Sequence, residues 1–233
     1  MTDEEFIKDL PNAEKFYAIF CNFTHMPYVE CDEETYSDKA FIFMEEDKAK
    51  EFAKTYRDGK QSLTVVPVEK GSVKHFLASL IADGFDMICF HGEEVHNYPI
   101  EQIVTRTLRD GVKKPIENPS LQLSMMYFMQ GVRIAETEEE KAESRSREEE
   151  MMANIARAVY LVPFSQMDDE TDENGNQKVS LMQFRNQNGE TFIPLFTDLD
   201  EFLKIRPKEG TSNFIPMGFK QIRNTSLDAL KGF

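Results

Sequence analysis

Apolar and polar positions change period several times along the chain, and each change marks an element. Residues 15–23 (KFYAIFCNF) form a β-branched and aromatic run of strand length, and MPYVEC and then KAFIFM at 39–44 follow it. The chain therefore opens with three strands. From Asp47 the period lengthens: Ala49, Phe52, Ala53 and Tyr56 recur at i, i+3, i+4 and i+7, one face of a helix that Asp58-Gly59 ends. Residues 62–68 (SLTVVPV) read as a buried strand. Ser72 is placed to cap a helix whose Val73, Phe76, Leu77, Leu80 and Ile81 share a face, with Gly84 as its stop. FDMICF at 85–90 closes the unit as a last strand. Strands first, then helix, strand, helix and strand, predict a mixed α+β layer fold with helices covering one sheet face.

The second half repeats this order. AVYLVPF at 158–164 matches the opening strand, and Asn174-Gly175 and Asn188-Gly189 bracket VSLMQF, a hairpin signal on each side. Glu51-Phe52-Ala53-Lys54 aligns with Glu201-Phe202-Leu203-Lys204, Val66-Pro67-Val68 with Ile215-Pro216-Met217, and Gly84-Phe85 with Gly232-Phe233, at offsets of 150, 149 and 148. Nearly constant spacing predicts a duplication. In the first copy Gly84-Phe85 opens the final strand, so the alignment predicts a second copy without its last strand. The chain is then a shortened one, or the vacant sheet edge is covered by another segment or a partner.

Between the copies the sequence changes character. Asn118-Pro119 starts a helix with Leu123, Met126 and Tyr127 on one side. Residues 136–150 hold eight acids and three bases among strong helix formers. The expected division is a first α+β domain over 13–100, a helical acidic linker over 101–157 and a second, incomplete α+β domain over 158–233. The 233 residues carry a net charge of −15, of which residues 136–173 contribute −9. That balance repels phosphate backbones and anionic headgroups, which argues against nucleic-acid and membrane partners. Three cysteines, Cys21, Cys31 and Cys89, suit a reducing compartment rather than a disulfide framework. The acidic start MTDEEFIKDL lacks the pattern of a secretory signal, and no apolar run reaches the length of a membrane span. The expected location is the cytoplasm.

With this layout in hand, the chain resembles the SseB family, named for enhanced serine sensitivity. The resemblance rests on Phe16-Tyr17-Ala18-Ile19-Phe20, Leu63-Thr64-Val65-Val66-Pro67-Val68, Glu117-Asn118-Pro119 and Tyr160-Leu161-Val162-Pro163. Most telling is the stretch from Gly189 through Phe192, Ile193, Pro194 and Phe196 to Asp198, which is similar to the family's strand-to-helix segment G-x-x-[FY]-[LI]-P-x-F-T. The resemblance implies a cytosolic bacterial α+β protein in a family without established catalytic chemistry. No catalytic residue carries over. In physical terms Asn188-Gly189 turns a hairpin, Pro194 ends a strand or marks an edge, and Thr197 is placed to accept a helix amide proton.

Candidate chemistry is sparse. Cys21, His25 and Cys31 offer three ligand types that zinc accepts but lack a fourth. His91-Gly92-Glu93-Glu94-Val95-His96 resembles a metalloprotease helix only superficially, since its histidines lie five apart and follow a strand. An EF-hand loop through Glu170, Asp172 and Asn174 fails at its twelfth position, Leu181. Five of the twelve methionines, Met125, Met126, Met129, Met151 and Met152, lie in the linker helices. Flexible thioethers suit either packing or an adaptable surface. The sequence thus nominates no catalytic residue, no cofactor-binding residue and no metal site. Its leading reading is a non-enzymatic interaction or regulatory module that binds a protein partner or a small effector. The alternative is an enzyme of unrecognised mechanism using His91, Glu93, Glu94 or His96 beside the first sheet.

Overall fold

The computed structural model describes residues 8–92, 94–105, 115–171, 177–205, 213–224 and 230–232. Contacts divide the chain into two units, Met1–Gly111 with Pro119–Asn154, and Val112–Asn118 with Ile155–Phe233.

The first unit is built on one mixed sheet. Its strands are β1 (Lys15–Cys21), β2 (Glu30–Cys31), β3 (Asp38–Phe43), β4 (Leu63–Glu69), β5 (Met87–His91) and β6 (Val95–Pro99). They lie in the order β4-β1-β3-β5-β6, with β2 paired to β3. All neighbours are antiparallel except β3 and β5, which run parallel in a register that sets Lys39 against Met87. That parallel step requires a crossover, which α1 (Glu46–Thr55), β4 and α2 (Val73–Ala82) supply.

Period-2 alternation sorts the sheet's side chains into two cores. Phe16, Ala18, Ala40, Ile42, Ile88 and Phe90 join Val73, Leu77 and Leu80 of α2 and Met126. Ile19, Cys21, Phe41, Phe43 and Cys89 join Ala49 and, at their margin, Phe52 of α1. Both faces are therefore covered, where the sequence predicts helices on one. The second cover of the α2 side is α4 (Pro119–Val132), which follows the short α3 (Ile100–Ile103). The helices expected to link two domains, α4 and α5 (Glu138–Arg157), belong to this unit as far as Asn154. The cause is the buried stripe Leu121, Ser124, Met126 and Gln130 on α4. Asn154 of α5 donates to the Ser120 carbonyl and to Ser124 Oγ, each at 3.1 Å, and joins the two helices.

Helix ends follow their chemistry with two departures from expectation. Thr137 and Glu140 form a capping box: Glu140 Oε2 accepts from the N–H groups of Glu136 and Thr137, and Thr137 Oγ1 accepts from Glu140 N–H. Ser72 makes no side-chain cap, and only its carbonyl accepts, from Phe76. Gly84 ends the α2 segment at φ +97°, as its type predicts.

The second unit holds β7 (Val159–Thr171), β8 (Gln177–Leu181), β9 (Phe184–Arg185), β10 (Thr191–Phe192), α6 (Leu199–Lys204), β11 (Asn213–Gly218), α7 (Phe219–Asn224) and β12 (Leu230–Gly232). Two three-stranded sheets form, β11-β7-β8 and β12-β10-β9. The expected absence of a last strand is corrected here: β12 pairs parallel with β10. The strand begins at Leu230, before the Gly232-Phe233 position from which the alignment counted it missing. The turn at Asn188-Gly189 forms with Gly189 at φ +81°, and Asn186 Oδ1 accepts from the N–H groups of Asn188 and Glu190. The Asn174-Gly175 turn lies outside the described residues. At α6 the cap is Asp198, whose carboxylate accepts from Glu201 N–H at 2.8 Å; Thr197, the expected cap, donates to Asp198 instead. Asn118 binds this unit together: its Nδ2 donates to the carbonyls of Val159 and Thr197, and its Oδ1 accepts from Val159 N–H.

A Cβ at Gly84 would sit 2.7 Å from Leu123 Cδ1 and 2.9 Å from the Pro119 carbonyl oxygen. Gly84→Ala combines that overlap with a left-handed backbone, and we expect a loss of about 2–4 kcal/mol in urea unfolding. Gly71→Ala, with nothing within 4 Å of the added Cβ, should change stability by less than about 1 kcal/mol. Equal effects at the two glycines would show that α4 does not cross Gly84.

Candidate functional site

After β1 the chain turns back on itself: Pro27 bridges Phe20, Tyr28 N–H donates to the Ile19 carbonyl at 2.8 Å, and β2 then pairs with β3, which leaves Val29 between the two pairings. Tyr28 turns into the α1-side core and Val29 into the α2-side core. A strand edge buried in this way needs partners for its backbone groups. One residue supplies both. Gln130 of α4, 3 % exposed, donates from Nε2 to the Val29 carbonyl at 2.9 Å, and its Oε1 accepts from Val29 N–H at 3.2 Å.

The clamp holds α4 and α5 beside the edge at a standoff, and the gap is a pocket of about 400 Å³ within the first unit. Tyr28, Val29, Glu30, Cys31 and Glu33 form its sheet side, and Gln61, just before β4, forms part of its wall. Tyr127, Gln130, Gly131 and Ile134 come from α4 and the turn after it, and Glu140, Glu143, Ser144 and Arg147 from α5. Gly131 lets the helices approach: a Cβ there would lie 3.0 Å from Arg147 Nη1.

Most polar groups of the lining already have structural partners. Arg147 pairs with Glu143, donates to the Tyr127 carbonyl at 3.2 Å and lies 5.4 Å over the Tyr127 ring. Tyr127 donates its hydroxyl to Asp38. Burial, together with that bond to a carboxylate, pushes the Tyr127 hydroxyl pKa far up, so it stays protonated. Glu140 is spent on the α5 cap, with Lys60 at 3.7 Å. Glu30 accepts from Tyr56 Oη. Asp32 orders the turn that carries Glu33: the Thr35 and Glu34 amides and the Lys39 ammonium hold its carboxyl down to about 2. Gln61 is different. It is 6 % exposed, and its Oε1 has no hydrogen-bond partner among the described residues. A buried acceptor left unpaired costs about 1–3 kcal/mol and calls for an explanation.

Of the candidate residues weighed from the sequence, Cys31 lines this pocket and the other described ones lie elsewhere. His91 and His96 face opposite sides of the sheet, because His91 pairs with Val95 and His96 with Phe90 across the β5–β6 ladder. His91 stacks on Phe43 with ring centroids 4.3 Å apart, beside Phe52, and burial lowers its pKa. Its Nε2 lies 3.5 Å from Cys89 Sγ, and burial pushes that thiol up to about 11. His96 stacks on Tyr98 and lies 3.7 Å from Glu94; Glu93 lies outside the described residues. The two histidines therefore do not share a site. Cys21 is buried at the end of β1, His25 sits in the following turn at φ 55°, and Cys31 is exposed on β2. Among the described residues no group of three His, Cys, Asp or Glu side chains could hold a metal ion. No helix among them is long and apolar enough to cross a membrane.

Residues 136–226, from the α5 cap through α7, match the family model of the SseB protein N-terminal domain. The likeness read from the Gly189–Asp198 stretch therefore holds for this part of the chain. No curated protein matches the sequence. Among solved structures, Anabaena Tic22, a protein of protein transport, is 12 % identical over 100 % of this chain and 92 % of its own, at a TM-score of 0.24. A likeness at that level carries no argument about either fold or activity.

Asp38 gives the wall of the pocket a pH signature. Burial raises its carboxyl pKa above 3.8, the Tyr127 hydroxyl opposes the shift, and the charges of Asp86 and Glu150 add to it. The folded state then holds this proton more tightly than the unfolded chain. Its stabilising contribution is complete below the unfolded pKa and is lost as pH rises through the folded one. Asp38→Asn keeps an acceptor for Tyr127 without the charge. Urea unfolding from pH 4 upward should show the wild type losing stability relative to this variant until Asp38 is ionised. A difference that is constant with pH would contradict the assignment.

Proposed function

We propose that the protein is a non-enzymatic regulatory module of the SseB type that binds a small effector in the pocket between β2 and the α4–α5 hairpin. The observation that carries this reading is a preformed cavity of ligand size, about 400 Å³, enclosed by the sheet edge and two helices of the first unit. Partnering of the lining's Arg147, Tyr127, Glu140 and Glu30 supports binding over catalysis, since each is already engaged in holding the fold. A protein partner would add to this role rather than replace it, and the acidic, exposed side of α5 is the surface such a partner would meet.

Duplication belongs to the same proposal. In the first unit Tyr17 pairs with Pro67 on one side and Phe43 on the other; in the second Leu161 pairs with Pro216 and Phe196. Phe43 and Phe196 each stand three residues before a helix, and each unit pairs its next strand in parallel, β3 with β5 and β10 with β12. These matches support one ancestral module copied once. A cytoplasmic, bacterial setting fits three free cysteines.

The small-molecule fraction of a bacterial lysate tests the binding role. It should raise the melting temperature of the full chain by several degrees, on the order of 5 °C for a ligand well above its Kd. Ile134→Trp, which fills the pocket from its rim, should abolish the rise while retaining the circular dichroism of the wild type. A rise of equal size in this variant, or none in the wild type, would contradict the proposal.

A further inference from the structure

Ser144 stands in the first half of α5, on the side that meets the pocket. A serine inside a helix usually spends its hydroxyl on a carbonyl one turn back, as Ser124 of α4 does on the Leu121 carbonyl at 3.0 Å. Ser144 does not. It is 7 % exposed, it lines the cavity, and its Oγ has no hydrogen-bond partner among the described residues. Its hydroxyl therefore has a proton to give. Arg147, one turn on, stands next to it: a Cβ built on Gly131 would lie 3.0 Å from Arg147 Nη1 and 3.5 Å from Ser144 Oγ, so both groups reach the same bare backbone. Nη1 donates to the Tyr127 carbonyl and Nη2 pairs with Glu143, which leaves further N–H donors on a group that has five. The Glu143 carboxylate also offsets the guanidinium charge where it stands. This wall thus offers O–H and N–H donors without a spare positive charge. A carboxylate would gain the donors but lie against Glu143, and an ammonium would set donors against donors. A neutral acceptor fits.

On the reading that this pocket binds a small effector, we infer that the effector is a neutral compound with an amide carbonyl, whose oxygen accepts from Ser144 Oγ beside Arg147. An amide oxygen is a stronger acceptor than that of a ketone or an ester, because the nitrogen lone pair adds to its negative charge. Gly131, without a side chain, leaves the room that the amide group takes up, and Ile134 gives its alkyl part an apolar wall.

Titration of the full chain with butanamide, 2-pentanone, butanoate and butylammonium, followed through its amide NMR spectrum, separates these requirements. Butanamide should shift the amides of Gly131 and Ser144 saturably and bind several-fold more tightly than the other three. Ser144→Ala removes no hydrogen bond of the fold, so it should keep the melting temperature of the wild type and weaken butanamide about tenfold, the worth of one hydrogen bond to a buried group. Ser146→Ala, on the exposed side of α5, should leave the affinity unchanged. Wild-type affinity in Ser144→Ala, or an equal loss in Ser146→Ala, would overturn the inference. Tighter, Ser144-dependent binding of any of the other three probes would overturn the amide class and leave the pocket's binding role standing. Absence of binding by all four probes would overturn the amide class too, and with no melting shift from the lysate fraction it would overturn the binding role as well.

Discussion

Two side-chain amides do for this protein what strands do elsewhere. Gln130 pairs both backbone groups of Val29, and Asn118 pairs both backbone groups of Val159. An amide side chain is the one neutral group that presents a donor and an acceptor in the spacing of a peptide unit. Placed at a sheet edge it satisfies the ladder without extending it. Thirteen residues of chain, 118–130, thus hold two anchors, one for each unit. Without Gln130 the Val29 peptide would be buried with neither group paired, a penalty comparable to a large share of a domain's stability.

The pocket follows from that choice of anchor. A strand beside Val29 would lie about 4.8 Å away and fill the space; a helix held by the tip of a glutamine stands further off. The gap is then lined by whatever the sheet edge and the two helices present, which here puts carboxylates on the sheet side and on α5. Small residues at Gly131 and Ser144 set how closely α4 and α5 approach and so set the width of the cavity. Stability and binding meet in the same residues: Tyr127 and Arg147 brace the hairpin and wall the pocket at once.

The sequence made most of this fold legible, through signals that are local. Alternation in β1, β3 and β5, the helical stripe of α1 and the turn at Asn188-Gly189 each depend on neighbouring residues alone. What escaped depends on distant ones. β6 is a strand because β5 needs a partner at its edge, while its own residues, VHNYP, are too polar and proline-bounded to announce it. β12 escaped because its three residues, Leu230–Gly232, are too few to announce a strand by alternation. Thr197 and Asp198 are both good caps, and only backbone geometry chooses between them. The helices of residues 119–157 were visible, yet their attachment was not. Gln130 reads as one more polar position on an amphipathic helix, and nothing in its neighbours says that it points at a backbone 101 residues away. Gln61 is harder still, since its signal is a missing bond.

The most direct measurement is amide hydrogen exchange at Val29 in the full chain. If Gln130 clamps this edge, the Val29 amide exchanges as slowly as the core amides of β3, and in Gln130→Leu it exchanges orders of magnitude faster while the amides of Phe41 and Ile42 stay protected. A Val29 amide that exchanges at the rate of an open loop in the wild type would mean that α4 does not seal the edge. The pocket, and the role built on it, would fall with that result.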